Sequence, residues 1–208
     1  MRPLLVLEDT SRPSHRLFTA LGVEWRATHR AWVGPFFWVA LGWAVAWGQS
    51  AGSGPSGGTG SPGTLGTLAV GAAYGVLLWL TNAVHTLGHV LAARVAGTPL
   101  DAVLLTSTRD VVVYRGWKRE VAERVRVVRS MGGPLANAFL GGLALWGAAA
   151  LAGAGSAGTG DPVGAAVRWT GIFGLFNLCL AAWTLAPIPT LDGWIVWRWV
   201  FRGRKQRR

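Results

Sequence analysis

Charged side chains vanish from two long stretches of the chain. Residues 31–93 contain no Asp, Glu, Lys or Arg, and neither do residues 130–160. A helix needs roughly 20 apolar residues to cross about 30 Å of hydrocarbon. The pattern therefore predicts four membrane spans, at about 31–48, 65–95, 131–152 and 163–186, with Arg168 near the start of the last. SAGSGPSGGTGSPG separates the first two and GAGSAGTGDPVG the last two, both small, polar and flexible in composition. Residues 100–114, LDAVLLTSTRDVVVY, place two runs of β-forming residues on either side of a polar TSTRD, which predicts a short hairpin. Residues 115–129 read as a basic helical approach to the third span and carry Glu120 and Glu123. No internal repeat is evident.

Composition sharpens this into a fold class. Apolar types make up 51% of the 208 residues and charged types 14%, with 13 Trp and 30 Gly, which argues against a soluble domain. The expectation is an all-α membrane protein of about four transmembrane helices with a short cytoplasmic β-hairpin. The net charge of +11 raises nucleic acid as a partner, but the basic residues sit where membrane topology wants them. Residues 1–30 hold five Lys or Arg, residues 94–129 hold eight and residues 198–208 hold six, so 19 of 20 fall on one side of a four-span arrangement. The positive-inside rule makes that side cytoplasmic, with both termini inside. The expected partner is the lipid bilayer, in a bacterial cell membrane, with no nucleic acid. Trp32 and Trp38, and Trp194, Trp197 and Trp199, suit an interfacial belt. The chain divides into a cytoplasmic N-terminal segment (1–30), one membrane domain (31–201) and a basic tail (202–208). The tail reads as topogenic, or as a binder of anionic lipid. Cys179, the single cysteine, lies in an apolar run and cannot form an internal disulfide. No cleavable signal peptide is expected, since the apolar stretch 4–7 is too short and Glu8 and Asp9 follow it.

Few residues are left to carry chemistry. His85 and His89, in HTLGH, are four apart in the second predicted helix. Such residues lie about 40° apart around a helix axis and project from one face, the geometry by which paired histidines hold zinc. Ionisable groups within an uncharged membrane run are costly and default to function; the alternative is a neutral pair hydrogen-bonded to neighbouring helices. Asp192, in APIPTLDGW, is the only acid after residue 162. Pro187 and Pro189 stop regular helix just before it. It reads as a third ligand, or as the N-cap of the segment that follows. The expected topology brings the end of the second helix, the start of the third and Asp192 to one leaflet. That third helix begins with Gly132-Gly133-Pro134-Leu135-Ala136-Asn137, whose small residues permit close packing. Asn137 reads as interhelical glue, or as a donor to a substrate carbonyl.

HTLGHVLAARVAG, GGPLANAFLGGLA and NLCLAAWTLAPIPTLDG resemble, in order and spacing, the three signatures of the site-2 proteases: HExxH, a GPxxN-type helix and NxxPxPxLDG. The resemblance covers residues 82–194. It implies a membrane-embedded zinc protease core, with His85, His89 and Asp192 as zinc ligands and Asn137 at the position thought to help hold substrate. The 100–114 hairpin resembles the family's small membrane-associated sheet, whose edge could pair with an unwound transmembrane substrate.

Two positions depart from that pattern. Thr184 stands where the third motif has Asn, and Thr86 stands where the family has its catalytic Glu. The Glu takes the proton of the attacking water and delivers it to the leaving amine, a contribution of about 10²–10⁴-fold. A Thr hydroxyl cannot act as a base near neutral pH. The reading is thus a site-2 protease-like homologue that retains zinc but is weak or inactive as a peptidase, expected to gain activity on Thr86→Glu. The alternatives are a pseudoprotease that binds transmembrane segments of regulators, a small metal-handling membrane protein, or an enzyme with a displaced base. The nearest spare acids for the last are Asp110, Glu120 and Glu123.

Overall fold

The computed structural model describes residues 14–52, 64–106, 110–113, 122–153 and 162–205. The elements follow in the order β1 (Ser14–Ala20), β2 (Val23–Thr28), α1 (Val33–Gly52), α2 (Thr64–Val95), β3 (Ala102–Leu105), β4 (Asp110–Val113), α3 (Glu123–Gly153), α4 (Pro162–Thr184) and α5 (Asp192–Lys205). Most of both predicted connectors, most of the TSTRD turn, Glu120 and the last three residues lie outside the described residues.

Among the described residues, α2, α3 and α4 are long and apolar enough to cross a membrane, while the apolar part of α1, Val33–Gly48, is shorter. The bundle is built inside out relative to a soluble one. Phe139, Leu143 and Trp146 on α3, and Leu175 and Trp183 on α4, are exposed, whereas Asn137 and Asn177 are fully buried. Large apolar side chains face outward, and the helices meet through small residues and amides, as expected where the solvent is lipid. Gly88 of α2 and Gly132 of α3 approach so closely that a Cβ on either would overlap the carbonyl of the other. This contact sets the two backbones against each other beside the histidine pair.

The sheet is larger than the sequence reading foresaw. Among the described residues four strands lie in the order β1-β2-β3-β4, so the expected hairpin, β3 and β4, extends a second hairpin drawn from the N-terminal segment. In that segment VEWRAT alternates apolar and polar residues, and Leu21 and Gly22 both have positive φ, at 52° and 63°. Two residues of this conformation match the twist of flanking strands and close a tight hairpin. The signal was weakened because Leu, not Asn or Asp, precedes the glycine. β2 pairs parallel with β3, with α1 and α2 as the crossover between them.

A small core ties this sheet to the end of α2. Val23, Val90, Ala93, Leu100 and Val103 are buried together, with Trp25, Leu105 and Val112 against them. α2 has 32 residues, beyond the roughly 20 a bilayer needs, and its last turns are covered by the sheet. Arg129 of α3 locks the same corner: its guanidinium donates to Thr98 Oγ1 at 2.9 Å and to the Thr98 carbonyl at 3.1 Å.

Candidate metal centre

α2 carries His85 and His89 on one face, and the rings meet edge to face with centroids 4.7 Å apart. Their Nε2 atoms lie 3.1 Å from each other. Asp192 opens α5, and its Oδ2 lies 3.1 Å from His85 Nε2 and 3.4 Å from His89 Nε2. α4 is followed by the two prolines, and α5 folds back so that Trp197 Nε1 donates to the Leu185 carbonyl at 2.9 Å. Gly193 lies against the Leu185 and Ala186 carbonyls with no room for a Cβ. The LDG sequence therefore fits the sharp return that aims Asp192 at α2.

These three residues form the group among the described residues that could hold a metal ion. Their ligand atoms form a triangle with edges of 3.1, 3.1 and 3.4 Å. Zinc bonds of about 2.0–2.1 Å in a tetrahedron put neighbouring ligand atoms roughly 3.3 Å apart, so the triangle fits one face of such a site and leaves a fourth position. The second nitrogens support the fit. His89 Nδ1 donates to the Arg129 carbonyl at 2.8 Å, which fixes the tautomer and turns the Nε2 lone pair toward the centre. Gly133 of α3 faces the pair: a Cβ there would lie 2.6 Å from both Nε2 atoms. No larger residue leaves the imidazoles in place. Burial works against ionisation of Asp192, but the hydrogen bonds and charge of the two imidazoles outweigh it and hold its carboxyl at about 2.

Thr86 is buried between His85 and the sheet. Its hydroxyl donates its single proton to Asp110 Oδ2 at 2.7 Å, with the Asn82 carbonyl 3.1 Å from the same Oγ1, and Asn82 Nδ2 donates to the same Asp110 oxygen at 3.1 Å. Asp110 is the first residue of β4. Burial pushes its carboxyl above the ordinary value, against the opposing pull of the Thr86 hydrogen bond, the His85 imidazole and the Asn82 hydrogen bond. Asp110 is not itself part of the metal-ligand group, and neither is Glu123, the acid that opens α3.

Asn137 lies deeper in the bundle. Its Nδ2 donates to the Thr81 carbonyl at 3.2 Å, while Asn177 Nδ2 donates to Thr81 Oγ1 at 3.2 Å and to the Phe173 carbonyl at 2.8 Å. Thr81 thus joins α2, α3 and α4, and the amide oxygens of both asparagines lack a hydrogen-bond partner among the described residues. Thr184 donates to the Leu180 and Ala181 carbonyls at 2.9 and 3.2 Å, closing the last turn of α4. Sequence reasoning missed Arg129, Asn82 and Asn177. Asn177 and Asn82 had a signal, a lone amide in a membrane run; the Arg129 contribution is a backbone carbonyl, which no side-chain pattern reveals.

No family model matches the chain, and neither does any curated protein. Among solved structures, the fold is similar to that of the site-2 protease from Methanocaldococcus jannaschii, with a TM-score of 0.54 at 20% identity, over 91% of this chain and 72% of that one.

Proposed function

We propose that the protein is a site-2 protease-like membrane protein that holds one zinc ion between His85, His89 and Asp192 and engages transmembrane segments of other proteins. The observation that carries this reading is the triangle of ligand atoms, 3.1, 3.1 and 3.4 Å on its edges, at the meeting point of α2 and α5. Bound there, zinc would supply Lewis-acid polarisation of a scissile carbonyl and a more acidic water. The protein's own groups do the rest. The Arg129 carbonyl orients His89, Gly133 keeps space above both imidazoles, and the sheet closes over the end of α2.

The sheet supports a place for the substrate. Among the described residues β4 is an edge strand, and it touches α2 through Asp110, so an unwound segment added to that edge would run beside the histidines. Asn137 belongs to this proposal only as a link between helices. Its Nδ2 is already committed to Thr81, and it would have to leave that carbonyl to reach a substrate.

Thr86 favours a second reading. Taken alone, it leaves the helix with no carboxylate beside the metal ligands, which suits a pseudoprotease that holds transmembrane clients without cutting them. Both readings predict an interaction that a small metal-handling membrane protein would lack. In bilayer vesicles with a single-span model protein, the chain is expected to retain or cleave it, in a manner abolished by a zinc chelator. Indifference to the model protein, with zinc bound, would contradict both.

A further inference from the structure

β4 delivers one carboxylate to the helix position where the family resemblance lacks one. Asp110 Oδ2 accepts from Thr86 Oγ1 at 2.7 Å and from Asn82 Nδ2 at 3.1 Å. Thr86 follows His85 directly, at the position from which a Glu would reach toward the attacking water. Its Oγ1 stands one bond from Cβ, where a Glu carries Cγ. The hydrogen bond of 2.7 Å then spans nearly the distance from a Glu Cγ to its carboxylate oxygen, about 2.4 Å across one C–C and one C–O bond, so Asp110 sets a carboxylate oxygen at roughly the reach of a Glu. Both donors use Oδ2, and no donor among the described residues takes Oδ1.

We propose that Asp110, held on Thr86 and Asn82, is the general base of this site, a carboxylate supplied by the sheet instead of by the helix. The assignment rests on the zinc reading above. Asp110 takes a proton from water as the water oxygen bonds to the scissile carbonyl carbon. It gives that proton to the amide nitrogen as the C–N bond breaks, and returns to the carboxylate. The products are a free amine and a carboxylic acid, which loses its own proton to solvent. Thr86 is a positioning residue: its hydroxyl fixes Asp110 and moves no proton of the reaction. The site-2 protease Glu is in effect divided between two residues 24 positions apart. Because the base sits on the edge strand β4, a segment pairing there would meet scissile-bond chemistry and substrate binding on one element.

The test compares wild type with Asp110→Asn, Thr86→Val, Thr86→Ser and the double variant Thr86→Glu with Asp110→Asn. Each is assayed for cleavage of a single-span substrate in vesicles and for zinc per chain. Zinc content is expected to be equal in all five. Cleavage is expected to fall by at least about 100-fold in Asp110→Asn, the lower range of general-base contributions. Thr86→Val should fall by a smaller factor and Thr86→Ser should stay near wild type. The double variant should regain cleavage, its carboxylate now on the helix. A readout independent of activity is a double-mutant cycle on Tm of the metal-free protein with Asp110→Asn and Thr86→Val, whose effects are expected to be non-additive because the two side chains touch. Additive effects in that cycle, zinc-loaded wild type that does not cleave, or Asp110→Asn that cleaves as wild type would each overturn the role of Asp110 and leave the zinc site standing. Wild type without zinc would remove the zinc reading and this one together.

Discussion

At the scale of single residues, the site is a set of side chains whose second contacts decide what their first can do. His89 faces the centre through Nε2 because its Nδ1–H is spent on the Arg129 carbonyl. Asp110 shows the same logic with an energetic consequence. Burial raises its carboxyl above the ordinary value, so the folded metal-free protein binds this proton more tightly than the unfolded chain, whose Asp titrates near about 3.9. The associated stability is fully present below that value and is lost as pH rises through the folded one. Asp110→Asn should therefore raise Tm of the metal-free protein at pH 7, with the gain shrinking as the pH falls below about 4, where both states are protonated. A variant less stable than wild type at neutral pH would show that the carboxylate supports the fold. The spacing of His85 and His89 and the isolation of Asp192 made the ligand candidates legible in the sequence. Asp110 was legible only as one of three spare acids. Its contact with Thr86 closes across the turn between α2 and β3 and then a hairpin, a geometry that no local pattern encodes.

At the scale of elements, the helices were readable because membrane spans announce themselves by length and absence of charge; α2, α3 and α4 end within a few residues of the bounds that pattern predicts, apart from the longer approach of α3. The first sheet hairpin was not recognised. Its strands are short and joined by Leu-Gly, β1 is exposed along most of its length, and β2 takes its second set of partners from residues 102–105. Gly133 shows what the packing of two elements requires. Because a Cβ there would press on both Nε2 atoms, Gly133→Val should abolish zinc binding while α3, whose turn carries no other demand on a side chain at that point, stays helical. Overpacking of this kind costs about 1–3 kcal/mol, which should appear as a modest fall in Tm. Circular dichroism beside metal analysis checks it, and a Gly133→Val protein with full zinc would show the two helices able to part.

At the scale of the whole molecule, the chain is a membrane protein with the fold of a site-2 protease, built around a corner where a sheet, the end of α2, the start of α3 and the return into α5 converge. The charge pattern supplies a prediction about its orientation. With 19 of 20 basic residues on one side of a four-span path, both termini should lie in the cytoplasm and the 49–64 connector outside. Single cysteines introduced into that connector in a Cys179→Ser background should react with an impermeant reagent from outside, whereas one at the C-terminus should not. Reaction of the C-terminal cysteine would remove α1 from the membrane or reverse the chain. The central claim is the metal, and it is tested most directly by zinc per chain in the purified protein beside His85→Ala, His89→Ala and Asp192→Asn. Asn caps a helix about as well as Asp, so the last variant removes a ligand charge while keeping the start of α5. The account predicts about one zinc in wild type, as set by three ligands around one open position, and a fall to background in both histidine variants, with markedly weakened retention in Asp192→Asn. Wild type without zinc, or His85→Ala with the full complement, would contradict it.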